Sequence, residues 1–560
     1  KDFEGDTSGW HADAQPLAEA VRGDIRPALL VLLAAVGCVL LIACVNVANL
    51  LLARATGRQK EMATRVAIGA TRRRIIRQLL TESTVLAMAG GTVGLALASA
   101  GVSALMSMLP MDLPSYIKVS VDGQVAAFTL LLAIATGLLF GIAPAWRISS
   151  PQLLETLKEG RSSVGASHYR LRDALVVGEM ALAVLLLIGA GLMVRSFVRY
   201  QAARFGFDSE HVLTFSISLP AQKYSDPARI RSFLQQAEEK LQSLPGVQAV
   251  GMVSTLPLSG GGWTNTYTIP GKEIHPEPHS YFAAISPGYF AALRIRLIRG
   301  RGILQSDGPD SPLVAVLDDK AAHMYFGDEN PIGQHIKVSV PGSKEPGVRE
   351  IVGIVGAVKQ TTGVVEDSKG EVYIPYTQVV MPGAQFAVRT AADPVGIGTA
   401  IRAQIQSIDP EQPVYDMKTL EDIRSEAMAQ PRFSTVLLGI FGGLALVLAA
   451  VGIYGVLSYT VTQRTHEIGL RMALGATQGS VLRMVMQRAM KLAAIGMTAG
   501  VIAALLATRA LSSLLFHISR TDPLTYIAVA VVLGAVALQA SYLPARRATR
   551  VDPMIALRNE

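Results

Sequence analysis

The sequence predicts a polytopic α-helical membrane protein of about seven transmembrane helices, internally duplicated and carrying an α+β domain outside the bilayer. Three observations lead there. Half of the 560 residues are hydrophobic and only 17% are charged, where ordinary globular domains carry about 25% charged residues. Seven stretches are apolar enough over enough residues to span a bilayer. One basic, glycine-punctuated phrase is also written twice, as "RVAIGATRRRIIRQ" from Arg65 and as "RMALGATQGSVLRM" from Arg471.

The chain opens on "KDFEGDTSGWHADAQ", which has neither an initiator methionine nor the apolar core of a signal peptide. Residues 1–26 therefore read as the end of an extramembrane domain whose body lies upstream. The spans follow at 27–53, 84–110, 124–146, 174–194, 434–461, 492–515 and 524–544. Both cysteines, Cys38 and Cys44, fall in the first span. Six residues along a helix separate them by about 9 Å, too far for a disulfide, so they read as packing residues.

Lys and Arg place the loops. Residues 54–82 hold eight, 147–173 five, 462–491 five and the tail from Arg546 four, whereas 111–123 and 516–523 hold one each. The basic loops and the C-terminus belong in the cytoplasm under the positive-inside rule. The net charge of +8 is then a topology signal, and no nucleic-acid partner is expected. Residues 197–432 fall outside as an α+β domain: "HVLTFSISL", "REIVGIVGAV" and "QFAVRT" read as strands, Pro227–Leu244 and 393–408 as amphipathic helices.

Arg58–Arg77 aligns without gaps on Arg464–Arg483 with eight identities in twenty, and "PAWRISSPQLLETLK" matches "PARRATRVDPMIALR" where each half ends. Duplication on this scale is architectural. In each copy a glutamate precedes an arginine by four residues, Glu61 and Arg65 in one, Glu467 and Arg471 in the other, the favourable order for a helical pair. Each then reaches Gly-Ala-Thr, at Gly69, Ala70 and Thr71 and at Gly475, Ala476 and Thr477. Glycine ends a helix and threonine caps the next. Two readings stay open: a helix lying on lipid phosphates of the bilayer, or a docking element for a cytosolic partner, which a two-fold partner would need twice.

The phrase "E-[IM]-x-x-R-x-A-[IL]-G-A-T" after a span, with "PGYFAALRIRLIRGR", "DENPIGQHIKV" and "VVGEMALAVLLLIGAGLMVRSF", resembles the MacB/FtsX class of ABC transporter permeases, most closely the duplicated orphan permeases. The resemblance implies these domains: 1–26 the end of a first periplasmic core, 27–160 a first FtsX-like permease domain, 174–196 a transmembrane helix, 197–432 a MacB-like periplasmic core and 433–560 a second FtsX-like domain. It implies a bacterial inner-membrane permease subunit that couples a separate cytosolic ABC ATPase to a periplasmic domain, for export or extrusion, with an adaptor or cargo as periplasmic partner. It also implies coupling roles for Glu61, Arg65, Gly69, Ala70, Thr71, Glu467, Arg471, Gly475, Ala476 and Thr477. The second copy departs after Thr477, with "QGS" where the first has Arg72, Arg73 and Arg74. The rival is a membrane regulator or scaffold whose periplasmic domain controls a cell-envelope enzyme.

Other motifs read as structure. "LSGGG" at Leu258–Gly262 resembles an ABC signature but no Walker A accompanies it, so it is an exposed loop. "HPEPH" at His275–His279 has prolines that forbid the helix a zinc pair would need. Glu179, inside the fourth span, reads as an interhelical hydrogen bond with a proton relay as rival, and Asn46 and Asn49 as polar glue. No catalytic, metal or cofactor site is expected, ATP being used by the partner subunit.

Overall fold

A computed structural model describes residues 26–57, 64–65, 68, 71–107, 120–148, 164–202, 205–260, 262–272, 274, 278–341, 345–361, 369–463, 465–474, 476–511 and 518–549. The chain divides into two compact units, Lys1–Tyr200 with Pro431–Glu560, and Gln201–Gln430. Helices α1 (Arg26–Gly57), α2 (Arg72–Ser107), α3 (Gly123–Ile148) and α4 (Val164–Gln201) come first. In lipid a chain satisfies its backbone groups internally, and these Ala- and Leu-rich runs do so as helices. Helices α2 and α3 meet through small residues: a Cβ on Gly137 would strike Ala87 and the carbonyl of Ser83.

The second unit is one mixed sheet of eleven strands with short helices on both faces. In chain order it contains β1 (Val212–Ser218), α5 (Pro227–Gln242), β2 (Val247–Val253), β3 (Trp263–Thr266), β4 (His279–Ile285), α6 (Tyr289–Ala292), β5 (Leu297–Gly300), β6 (Val314–Asp318), α7 (Asp319–Phe326), β7 (His335–Val338), β8 (Gly347–Val355), β9 (Glu371–Pro375), β10 (Gly383–Thr390), α8 (Gly398–Ile408), β11 (Tyr415–Thr419) and α9 (Leu420–Ala427). The strand order is β11-β1-β10-β2-β4-β9-β6-β8-β5, with β3 on β4 and β7 on β8. Among the described residues, only β4–β9 and β6–β8 run parallel. Strand alternation sets the two faces: Leu213, Phe215 and Ile217 pack under α5 and α8, while Val212 joins Val253, Ile285 and Tyr373 on the face carrying α6 and α9. Phe215 stacks on Phe386 across β1 and β10 with centroids 4.9 Å apart.

Local signals explain the caps. Asp226 accepts from the Ala228 N–H with Pro227 in the first turn of α5, and Thr419 and Asp422 form a capping box on α9. Arg389, buried on β10, donates to the carbonyls of Ala292, Glu210 and Asp208 at 2.7–2.8 Å and ties three segments together.

Helices α10 (Ala429–Gln463), α11 (Thr465–Ala473), α12 (Gln478–Leu511) and α13 (Pro523–Ala548) complete the first unit. Helix α4 is its hub, with Met180, Ala183, Ile188 and Leu192 fully buried. Gly496 and Gly500, four residues apart on α12, sit so close that a Cβ on either would overlap Met180 or Val184 of α4, the small-xxx-small packing of membrane helices. Arg195 pairs with Asp522 near one end of α4. Near the other, Asp173 pairs with Arg488 at 3.1 Å and Arg172 lies 3.9 Å over the Tyr459 ring.

Among the described residues, six helices are long and apolar enough to cross a membrane, within α1, α2, α4, α10, α12 and α13. The remaining expected span, 124–146, is helical as part of α3, but its described side chains carry the apolar run only over Gly123–Leu138. Residues 1–25, which hold most of the expected first-domain remnant, lie outside the described residues, as does His275 of the histidine pair.

Candidate functional site

Among the described residues, the two copies of the phrase share the hydrogen bonds on either side of their Gly-Ala-Thr step. In the second copy α11 ends with Leu474 N–H donating to Leu470 O at 3.0 Å and Ala476 N–H reaching back to Arg471 O at 2.9 Å. The second bond is the six-to-one closure of a Schellman end. Thr477 then opens α12: its carbonyl accepts from Ser480 N–H at 3.0 Å and Val481 N–H at 3.3 Å. The first copy repeats three of these four bonds 406 residues earlier. Ile68 N–H donates to Thr64 O at 3.0 Å, and Thr71 O accepts from Arg74 at 3.0 Å and Ile75 at 3.3 Å. Ile75 and Val481, one turn into each long helix, are both buried and anchor its start.

The paired arginines reach the same place too. Arg471 bonds Glu467 at 2.7 Å, as the i,i+4 spacing predicts, and its other nitrogen approaches Met484 Sδ at 3.2 Å. Arg65 donates to Gln78 Oε1 at 2.9 Å, and Gln78 donates on to Glu82 at 3.2 Å. Gln78 and Met484 are repeat partners, thirteen residues beyond their arginines. Arg471 therefore ties α11 to the first turns of α12, and Arg65 reaches the equivalent position on α2. Around the second copy Val461, Ile468 and Val481 form a small apolar core, beside a cavity of about 90 Å³ bounded by Glu467, Arg471 and Met484. The first copy borders an open groove of about 630 Å³ lined by Arg74, Arg77, Gln78 and Glu82. Over the described residues the copies thus share three backbone bonds and differ in charge.

Of the ten residues singled out in the phrases, Arg65, Thr71, Glu467, Arg471, Ala476 and Thr477 take part in this geometry. Glu61, Gly69, Ala70 and Gly475 lie outside the described residues. Sequence reasoning missed Ile68 and Leu474. At 81% and 80% exposed they are the most exposed large hydrophobic side chains among the described residues. They occupy the same repeat position, at the tip of the turn. The signal was present in the "A-[IL]-G" stretch, where an aliphatic residue stands immediately before the helix-ending glycine.

Membrane-crossing helices written twice around one mixed-sheet unit define a multi-pass membrane protein of the permease type. Comparison with known proteins agrees. The FtsX-like permease C-terminal model matches residues 33–153 and again 439–553, and the MacB-like periplasmic core domain model matches 174–408. The chain belongs to the MacB/FtsX class of ABC transporter permeases. Relatives include the pyoverdine export ATP-binding/permease protein PvdT of Pseudomonas syringae pv. tomato, 26% identical over 74% of this chain and 63% of its own length. The ABC transporter permease YknZ of Bacillus subtilis is 22% identical over 73% of this chain and 100% of its own length. This chain thus spans less than two thirds of the PvdT relative. Among solved structures, the periplasmic region of MacB from Actinobacillus actinomycetemcomitans aligns with a TM-score of 0.27 and 17% identity, covering 39% of this chain and 92% of that one.

Proposed function

We propose that this chain is the permease subunit of an ABC-type export or mechanotransmission machine in a bacterial cytoplasmic membrane. The two phrases face the cytosol and dock on a separate ATPase dimer, and residues 201–430 stand in the periplasm and act on an adaptor or cargo. The C-terminus is cytoplasmic, ATP is bound by the partner alone, and this chain performs no chemistry. Lys/Arg asymmetry supports the orientation. The observation that carries the reading is the matched pair of exposed apolar side chains, Ile68 and Leu474, each donating its N–H to the carbonyl four residues earlier and each outside the membrane spans. An exposed aliphatic side chain on a rigid turn gains free energy by entering a partner's pocket, and two equivalent tips suit a two-fold partner.

The test is purification of the intact chain from its native membrane, with a bound Walker A-bearing ATPase identified by mass spectrometry. Ile68→Asp with Leu474→Asp is expected to abolish ATPase recovery and permease-dependent ATP hydrolysis, while the helical content is unchanged. Recovery of the ATPase at wild-type yield by the double variant would overturn the docking assignment. Recovery of a periplasmic hydrolase and no ATPase would instead favour a regulator of cell-envelope enzymes.

A further inference from the structure

The junction between the two halves holds a polar cluster that neither coupling nor topology uses. The gapless repeat offset of 406 residues continues up the preceding helices, so α1 and α10 are counterparts, as are the family-model matches that begin at 33 and 439. Both helices border the carboxyl group of Glu179, which projects from α4 and is 1% exposed. From α1, Asn46 Nδ2 donates to Glu179 Oε1 at 2.6 Å and to the carbonyl of Leu448 on α10 at 3.0 Å. From α10, Gly452 lies against the same carboxyl, so close that a Cβ there would overlap both carboxyl oxygens. Gly452 is the repeat counterpart of Asn46. At one equivalent position the first half offers an amide and the second offers space.

Around this contact Ala35 and Ile42 of α1 pack among Val176, Met180 and Ala449. A single polar contact in an apolar helix interface discriminates between pairings more than it stabilises any of them. We propose that Asn46, Glu179 and Gly452 form a keyed junction that makes the first half of the membrane unit pair with the second half of its own chain. In a duplicated protein the competing arrangement is one in which an α10 from another copy takes the place of α1. Glu179 would then face glycine on both sides, and its carboxyl would sit in an apolar interface with no donor, a costly state in a membrane. The inference goes beyond the docking reading and is independent of it.

Two differently tagged copies of the full chain, coexpressed and purified through one tag, provide the test. Wild type is expected to recover little of the other tag. Asn46→Gly, which makes α1 resemble α10 at the key, and Glu179→Ala are each expected to raise recovery of the second tag about fivefold or more, given the usual strength of membrane hydrogen bonds. Glu179→Gln keeps an acceptor for Asn46 and is expected to behave as wild type. Gly452→Ala is expected to lower thermal stability in the wild-type background and to be tolerated alongside Glu179→Ala, because the overlap is then gone. An unchanged tag exchange in both Asn46→Gly and Glu179→Ala would overturn the proposal. So would Glu179→Gln being as disruptive as Glu179→Ala, which would make the ionisable proton, and not the acceptor, the important feature.

Discussion

At the scale of single residues, Thr71 and Thr477 each start a long helix, and Ile68 and Leu474 stand exposed three residues before them. Threonine at 71 and 477 announces a helix start because its carbonyl and side chain can serve the first free N–H groups, and Ser480 N–H does reach Thr477 Oγ1 at 3.4 Å. Ile68 and Leu474 look like ordinary filler in a pattern, because exposure depends on what the rest of the chain leaves uncovered. Either Ile68→Asp or Leu474→Asp alone is expected to lower permease-stimulated ATP hydrolysis severalfold, with unchanged melting, in an assay of the purified complex. Arg389 makes a separate prediction: Arg389→Ala leaves the carbonyls of Ala292, Glu210 and Asp208 without their donor. The loss is expected to cost about 3 kcal/mol or more in urea unfolding of residues 201–430. Glu238 predicts a pH effect. Burial pushes its carboxyl up from 4.5 to about 7, against the opposing hydrogen bond donated by Ser286 at 2.5 Å. Folded protein therefore holds this proton where the unfolded chain releases it, so the contribution is complete below about pH 4.5 and disappears as pH rises through about 7. Asp318, raised to about 6 by its burial, acts in the same direction. Urea midpoints are expected to fall between about pH 5 and 8, and Glu238→Gln to flatten part of that slope.

Among the elements, helices were easier to read than sheet order. Uncharged runs announce spans because lipid penalises every unpaired backbone group, and Pro227 after Asp226 announces α5 with its cap. Strands β1, β8 and β10 were visible as alternating or continuous apolar runs, but nothing local says that β10 lies between β1 and β2. Such pairings join residues more than a hundred positions apart, and the register Val212 to Arg389 is set by two faces being buried at once. The same distance hid the partner of Glu179. Its own span suggested an interhelical hydrogen bond, while Asn46, 133 residues earlier, is identified only by packing. Helix α12 shows how small residues act at this scale. Gly496→Leu or Gly500→Leu is expected to force α12 off α4, since Met180 and Val184 already fill that space. Overpacking of this kind costs about 1–3 kcal/mol, readable as a lower melting temperature in detergent and lost yield in membranes.

For the whole molecule, duplication is the organising fact, and it was legible because eight identities in twenty residues survive in the phrase. The charge divergence, Arg72, Arg73 and Arg74 against Gln478, Gly479 and Ser480, was equally legible, whereas the three backbone bonds that the copies share emerge only from the fold. In the proposed docking, a partner with two like pockets meets two similarly bonded segments set in different electrostatic surroundings. Raising salt is expected to weaken the first contact more than the second, since exposed charge is screened within about 10 Å at 0.1 M salt. The ATPase affinity of an Ile68→Asp variant should accordingly depend less on salt than that of Leu474→Asp. The central claim is that one chain supplies both docking turns of an ATP-driven permease. Native mass spectrometry of the complex purified with its ATPase in nanodiscs tests it most directly. One copy of this chain with two copies of the ATPase is the predicted assembly, and two copies of this chain with two ATPases, or a chain with no ATPase bound, would contradict it.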